Sequence, residues 1–264
     1  MEFKERYTIE DLRQIVAELR AENGCPWDKV QTHTSIKKDF VEEVYEVLEA
    51  IDLNDSSLMQ EELGDVLLQV IFHTQIEEEQ QHFTFEDVCN DICRKLIIRH
   101  PHVFGTVEAN TVDAVLNNWD TIKMQTKEQT TYGETLESVA KSLPALMRAQ
   151  KIGKRAKKAG FDFQNAEEAF PKILEEATEL KQAIDNKESD ERLKEEFGDL
   201  LFACVNVGRL LGVDAEEALT AASDKFTKRF VACEQAILKE GKDMTQLSLN
   251  ELDCYWEQVK KEQQ

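Results

Sequence analysis

The sequence predicts an all-α protein made of two tandem helical-bundle domains. Apolar residues recur at helical spacing amid Glu, Lys and Gln along most of the chain. With 10 Gly and 4 Pro in 264 residues, the turn residues that an all-β fold needs are scarce. One set of motifs also occurs twice in the same order, which indicates duplication. We therefore place one domain at residues 1–125, a linker at 126–140 and a second domain at 141–264.

Composition narrows the classes of function. The net charge of −21 argues against binding to polymeric nucleic acid, because that binding depends on an excess of Lys and Arg. A nucleotide stays compatible, since bound metal ions can reverse the sign of the charge inside a pocket. No signal peptide is visible, and no apolar run approaches membrane-spanning length. We expect a soluble cytoplasmic protein without a membrane partner.

Five helices are predicted in the first half. The first follows the N-cap Thr8 and ends at Asn23-Gly24, and the second begins at Thr34 or Ser35. The third covers about Leu58 to Glu79, and its residues expected to be buried are Leu63, Val66, Leu67, Val70 and Ile71. The last two start at Thr84 and near Val112.

The second half repeats this order after the polar linker. A basic helix contains Arg148 to Lys158 and ends at Gly160-Phe161-Asp162-Phe163. The sequence does not decide whether its cations form a solvated face, a site for an acidic partner or one flank of a pocket. The helices predicted after it are Pro171 to Ile184, Arg192 to Leu211, one from Asp214 or Ala215, and one from Ser248 or Leu249.

Two pairs of carboxylates carry the candidate chemistry in each half. Residues three apart on a helix share a face, so two packed helices would bring four carboxylates into one pocket. Such an oxygen-lined pocket suits Mg²⁺ or Mn²⁺ better than zinc. The four residues are Glu43, Glu46, Glu62 and Asp65 in the first half, and Glu176, Glu179, Glu196 and Asp199 in the second.

Cations and aromatic residues follow each set of carboxylates. Lys and Arg can donate to phosphate oxygens, and Trp can stack on a base of any identity. Four-residue spacing places the two members of each pair on one helical face. The pairs are Lys95/Arg99 and Trp119/Lys123 in the first half, and Lys225/Arg229 and Trp256/Lys260 in the second, where Arg192 and Lys194 add further cations.

Several of these residues also fit structural roles. Trp27 is interpreted as a packing anchor, whereas core packing and base stacking are equally consistent with Trp119 and Trp256. The Glu beside each ligand is rotated by about 100° and is interpreted as part of a solvated face, with a role as general base or as a partner that supports a metal ligand as the alternative. These neighbours are Glu42, Glu61, Glu175 and Glu195.

Together these motifs resemble the MazG family of nucleoside triphosphate pyrophosphohydrolases, in its two-copy bacterial form. The resemblance covers nearly the whole chain. Besides the carboxylate motifs it rests on Asn23-Gly-Cys-Pro-Trp-Asp28, Arg99-His-Pro-His-Val-Phe104 and Ser142-Leu-Pro-Ala-Leu-Met-Arg-Ala-Gln-Lys151. The resemblance implies the all-α NTP pyrophosphatase fold, a homodimer, and Mg²⁺-dependent conversion of an NTP or dNTP to monophosphate and pyrophosphate.

At the positions that match the family's motifs, the resemblance implies that the carboxylates are metal ligands in both copies. It also implies that those of the second copy are catalytic. It makes Lys225, Arg229, Trp256 and Lys260 nucleotide contacts, with Arg192, Lys194 and Glu195 nearby. We favour the second copy as the active one; the first either acts on fewer substrates or serves mainly dimerisation. The alternatives are a nucleotide-binding regulatory module without turnover, and a pyrophosphatase restricted to dUTP-like, dCTP-like or modified nucleotides.

Overall fold

The computed structural model describes residues 3–106 and 130–263, together with positions 111, 115 and 122. The described residues form helices and loops with no strand, so the all-α prediction is confirmed. The chain divides into two compact units, Met1–Lys123 and Met124–Gln264.

Short polar side chains begin the main helices of the first unit. Thr8 and Asp11 form a reciprocal capping box at α1, and Thr84 and Asp87 form another at α5. Asp55 caps α4 by accepting from two backbone N–H groups. Among the described residues of this unit, the helices are α1 (Ile9–Arg20), α2 (Pro26–Lys29), α3 (Lys37–Leu53), α4 (Ser56–Glu79), α5 (Phe85–Arg99) and α6 (Pro101–Phe104).

Helices α3 and α4 form an antiparallel pair because only two residues separate them. Asn54 adopts a left-handed conformation there (φ 52°), which reverses the chain. The core of the unit lies between α1 and α4, next to the start of α3. Its buried members are Val16, Ile36, Ile71, Phe72 and Ile76.

The second unit repeats the antiparallel pair. Its helices are α7 (Tyr132–Glu137), α8 (Ala145–Lys158), α9 (Ala166–Asp185), α10 (Asp190–Leu210), α11 (Ala215–Lys239) and α12 (Leu249–Glu262), with a 3₁₀ turn at Met244–Gln246. α9 packs along α10, while α8 lies against α10. A separate core of Cys233, Ile237 and Val259 joins α11 to α12.

Two local differences from the sequence prediction have clear causes. α9 begins five residues before Pro171, because the Asn165 side chain accepts the backbone N–H of Glu168 and nucleates an earlier turn. Tyr132–Glu137, which the sequence places in the linker, is a helix with its own capping box at Thr131 and Glu134. This helix packs against α8.

The predicted buried face of α4 is only partly buried. Leu63 and Leu67 are exposed, at 51% and 38%, whereas Ile71 is buried. Two polar residues on the other side of the helix, Glu62 and Gln69, are buried instead. The prediction is therefore wrong for Leu63 and Leu67, because α4 turns its carboxylate side towards the rest of the unit.

Candidate active site

The carboxylates of the second unit converge where α9 packs on α10. Oxygen atoms of Glu176, Glu196 and Asp199 all lie within 4.8 Å of one another. The i, i+3 spacing places Glu196 and Asp199 on the same side of α10. Glu196 is 2% exposed, so the cluster extends into the interior of the helix pair.

Glu179, the fourth predicted ligand, lies beside this group of three. It is not part of the mutual 4.8 Å set, but its charge helps to raise the pKa of both Glu176 and Glu196. The structure therefore brings all four predicted residues into one acidic region, with three in direct reach of a single ion.

The first unit contains the same arrangement between α3 and α4. Glu43, Glu62 and Asp65 have oxygens within 4.8 Å of one another. Glu46 stands beside them as Glu179 does in the second unit, since its hydrogen bond and charge affect the pKa of Glu43. Both sets of carboxylates thus assemble at corresponding positions of the two units.

Burial and mutual repulsion raise the pKa values in both clusters. Burial, then the charge of Asp65, raises the pKa of Glu43 to about 6. Burial is also the first cause of the raised pKa values of Glu62, Glu176 and Glu196, followed by neighbouring charges. Close carboxylates that each oppose the ionisation of the others are stabilised by a bound cation.

A divalent cation fits the donor set of the second unit. Oε2 of Glu196 is buried and has no hydrogen-bond partner among the described residues. A buried carboxylate oxygen without a partner is costly, and a hard cation is one group that would satisfy it. The oxygen-only ligands favour Mg²⁺ or Mn²⁺ over zinc.

Arg192 lies at the edge of this cluster, one turn before Glu196 on α10. Its guanidinium forms ion pairs with Glu196 and, at 2.7 Å, with Glu195. The charge of Arg192 partly offsets the effect of burial on the pKa of Glu196, which is still raised. Leu58 holds the corresponding position in the first unit, four residues before Glu62.

A cavity of about 560 Å³ adjoins the carboxylates between α8, α9 and α10. Glu176 and Asp199 border it, and most of its remaining wall is apolar. The apolar side of the basic helix α8 contributes Ile152, Gly153 and Ala156, so this helix flanks the pocket. A ligand with a flat apolar body and a charged end matches this combination.

Sequence reasoning missed Lys172, which also lines the cavity. Its ammonium pairs with Glu175 at 2.8 Å, and that bond, with the charges of Glu176 and Glu179, raises the pKa of the lysine. The signal was present, because Lys172 precedes Glu176 by four residues and so shares its helical face.

The predicted nucleotide contacts on α11 and α12 are not joined to the cluster by ion pairs in the part of the chain that the structure describes. Lys225 is exposed, and Lys260 pairs with Glu257 at 2.6 Å. Trp256 packs against Phe226, with ring centroids 5.1 Å apart, but Phe226 is 58% exposed, so this pair lies near the surface rather than in the core.

The remaining predicted nucleotide contacts lie on α10, on α5 and outside the described residues. Lys194 and Glu195 are exposed on α10. Lys95 is exposed and Arg99 half-buried on α5 of the first unit. Trp119 and Lys123 lie outside the described residues.

Comparison with known proteins identifies the family. Residues 31–104 and 164–233 each match the MazG nucleotide pyrophosphohydrolase domain. The chain is 45% identical to the nucleoside triphosphate pyrophosphohydrolase/pyrophosphatase MazG of Thermotoga maritima over 252 residues, which cover 96% of this chain and 95% of that protein. The chain belongs to the MazG family.

The chain is also similar to proteins from two other bacteria. The chain is 42% identical to the nucleoside triphosphate pyrophosphohydrolase of Escherichia coli (strain K12) over 257 residues, or 97% of this chain and 98% of the relative. It is also 45% identical over 248 residues to the uncharacterized protein YabN of Bacillus subtilis, covering 94% of this chain and 50% of YabN.

Family membership confirms that the chain is an enzyme of the MazG nucleotide pyrophosphohydrolase class. The two matched ranges contain both carboxylate clusters, whereas α12, with Trp256 and Lys260, follows the second range. Among the described residues, none of the helices is both long and apolar enough to cross a membrane.

Proposed function

We propose that the chain hydrolyses nucleoside triphosphates, both NTPs and dNTPs, to nucleoside monophosphate and pyrophosphate in a Mg²⁺-dependent reaction. The observation that carries this proposal is the group of Glu176, Glu196 and Asp199 oxygens within 4.8 Å, beside a cavity large enough for a base. The names of the Thermotoga and Escherichia relatives support the same reaction.

The proposed reaction is attack of water on the α-phosphorus. The water oxygen bonds to that phosphorus and loses a proton to the solvent, the bond to the bridging oxygen of the β-phosphate breaks, and pyrophosphate leaves with the electron pair. Mg²⁺ or Mn²⁺ held by Glu176, Glu179, Glu196 and Asp199 would lower the pKa of the water and neutralise phosphate charge.

The cations of the chain contribute positioning. Arg192 and Lys172 border the cluster and offer N–H donors to phosphate oxygens. Further contacts to the nucleotide are proposed for residues on α10, α11 and α12 and for two residues of the first unit. They are Lys194, Glu195, Lys225, Arg229, Trp256 and Lys260, and Lys95 and Arg99 in the first unit.

The second unit is the proposed catalytic one. It combines its cluster with Arg192 and the adjoining cavity, whereas the first unit has Leu58 at the arginine position. Measuring pyrophosphate release from a panel of NTPs and dNTPs, with Mg²⁺ or with chelator, tests this assignment. Glu176→Ala and Asp199→Ala should lower kcat by at least about a hundredfold, because each removes a ligand of the reacting centre.

Glu43→Ala and Asp65→Ala are matched controls, since they make the same change in the first unit. Near-normal turnover in both second-unit variants would overturn the assignment. Reaction in ¹⁸O-labelled water tests the point of attack: label in the monophosphate supports the α-phosphorus, and label in the pyrophosphate refutes it. Metal-dependent binding without pyrophosphate release would instead favour the regulatory-module alternative.

We also propose that the chain forms a homodimer in the cytoplasm. Monomers rarely expose large contiguous apolar surfaces. A second copy packed on this chain would cover its exposed apolar residues. The exposed apolar residues occur at corresponding positions of the two units: Val41, Leu63 and Leu67 in the first, and Leu174, Phe197 and Leu201 in the second.

A further inference from the structure

The cavity of the second unit is lined by two polar side chains that the proposed reaction does not use. Asp162 and Asn206 line the cavity together with apolar side chains from Leu136, Phe161 and Phe202. Neither residue is among the carboxylates near which a cation would bind. Polar groups placed in a mostly apolar pocket are the groups that orient and select a ligand.

One buried arginine holds the two side chains together. Nη2 of Arg209 donates to Oδ1 of Asp162 at 2.5 Å and to Oδ1 of Asn206 at 2.7 Å. Nε of Arg209 donates to the same Asn206 oxygen at 3.1 Å. Because one nitrogen binds both oxygens, the carboxylate and the amide lie side by side.

This network leaves one acceptor and one donor for another partner. Oδ2 of Asp162 is buried without a hydrogen-bond partner among the described residues, on a side chain that is 10% exposed. The two bonds from Arg209 occupy the amide oxygen of Asn206, which leaves its Nδ2 as a donor. A buried acceptor without a partner is costly, and a ligand that donates to it would remove that cost.

The backbone of α8 makes room for the network at Gly153. A Cβ atom at this position would lie 2.9 Å from Nε of Arg209 and 3.3 Å from Oδ1 of Asn206. Any larger residue would therefore force Arg209 to shift and would crowd Asn206. The glycine is explained by the close approach of this polar pair to the helix.

The first unit has no such polar pair at the corresponding position. Phe72 follows Asp65 by seven residues, as Asn206 follows Asp199. Phe72 is buried in the core of the first unit with Val16 and Ile71. An apolar ring thus fills in the first unit the place where the second unit presents an amide.

We propose that Asp162 and Asn206 select the base of the substrate, favouring bases whose Watson–Crick edge has an exocyclic amino group beside an unprotonated ring nitrogen, as cytosine and adenine do. This inference rests on the proposed function, because it takes the cavity to hold the base of the triphosphate. The amino group donates to Oδ2 of Asp162, and the ring nitrogen accepts from Nδ2 of Asn206.

Uracil and hypoxanthine present the opposite pattern at these positions. Their carbonyl oxygen would face the carboxylate oxygen of Asp162, and their ring N–H would face the amide N–H of Asn206. A pair of specific hydrogen bonds to a base edge discriminates against the wrong base by roughly tenfold or more. The first unit, with Phe72, has no corresponding amide donor for such discrimination.

Two pairs of triphosphates test the proposal, because CTP and UTP, like ATP and ITP, differ mainly at this edge. The experiment measures kcat/KM for pyrophosphate release and, in parallel, Kd by calorimetry for all four. The wild type should prefer CTP over UTP and ATP over ITP by about tenfold or more. In Asp162→Asn both ratios should fall towards 1, because an amide can also donate to a carbonyl oxygen.

Two further variants separate base selection from a structural role. Gly153→Ala should also lower the ratios, since its methyl group forces Arg209 to shift and crowds Asn206. Asp185→Asn, on an exposed residue that pairs with Lys181, is the matched control and should leave the ratios unchanged. A purely structural role for Asp162 would lower the values for all four nucleotides by one factor, which would overturn the proposal.

The outcomes also distinguish this inference from the proposed function. Equal kcat/KM and Kd for CTP and UTP in the wild type would overturn the base selection while the reaction stands. Binding that favours CTP over UTP without pyrophosphate release from any nucleotide would support the base selection and overturn the reaction.

Discussion

At the scale of single residues, the candidate active site brings several negatively charged carboxylates close together. Glu196 is buried beside Glu179 and Asp199, and Arg192 compensates only one of its oxygens. Ionisation of the Glu176 carboxyl is opposed first by burial and then by the charges of Glu179 and Asp199. Repulsion of this kind lowers the stability of the metal-free protein and becomes useful when a cation binds.

We predict opposite effects of Glu176→Gln with and without metal. In chelator the variant should have a higher Tm than the wild type, because one repelling charge is gone. Mg²⁺ at a hundred times its Kd should stabilise the wild type by about 2.7 kcal/mol, and the variant by much less at the same concentration. Differential scanning calorimetry measures both effects.

Lys181→Gln is the charge-changing control for this measurement, since Lys181 is exposed on α9 and pairs with Asp185 rather than with the cluster. An equal Mg²⁺-induced rise in Tm in the wild type and Glu176→Gln would rule Glu176 out as a ligand.

At the scale of helices, the caps fix where each helix begins. Ser189 accepts the backbone N–H of Arg192 at the start of α10, the helix that carries Glu196 and Asp199. The caps at Thr8, Thr84 and Asp214 were predictable, because they are local patterns of short polar side chains. The early start of α9 was not, because Pro171 is a strong signal for a helix start and Asn165 lies six residues before it.

We predict that Ser189→Ala lowers the free energy of unfolding by about 1 kcal/mol, because the first turn of α10 loses its side-chain acceptor. Urea denaturation followed by circular dichroism measures this change. Ser189→Asp should retain most of the wild-type stability, since Asp is an equally good N-cap. If both variants lose the same stability, the capping bond is not the cause.

At the scale of the whole molecule, the duplicated units differ in what fills their interiors. The first unit buries Phe72 in its core, whereas the second has Asn206 on the wall of a cavity. Both units leave apolar residues exposed at corresponding positions of the paired helices, including Leu67 and Leu201. The repeat thus preserves the carboxylates and the apolar surface, while the cavity distinguishes the two copies.

We predict that Leu201→Asp weakens the proposed dimer, because a charge would then face the apolar surface of the second copy. Size-exclusion chromatography with light scattering should show twice the chain mass for the wild type and a concentration-dependent shift to one chain for the variant. Leu249→Asp is the control, since Leu249 is exposed at the start of α12. A wild type of single-chain mass at all concentrations would contradict the proposed dimer.

The sequence by itself determined the helical class, the repeat and the carboxylates, because helical periodicity and i, i+3 spacing are local properties of the chain. Only the tertiary structure decided which face of α4 is buried and that Arg209 joins Asp162 to Asn206. Those contacts join residues through packing and burial; the one between Asp162 and Arg209 spans 47 positions. Helical spacing specifies which side chains share a face, but the packing of one helix on another specifies what that face meets.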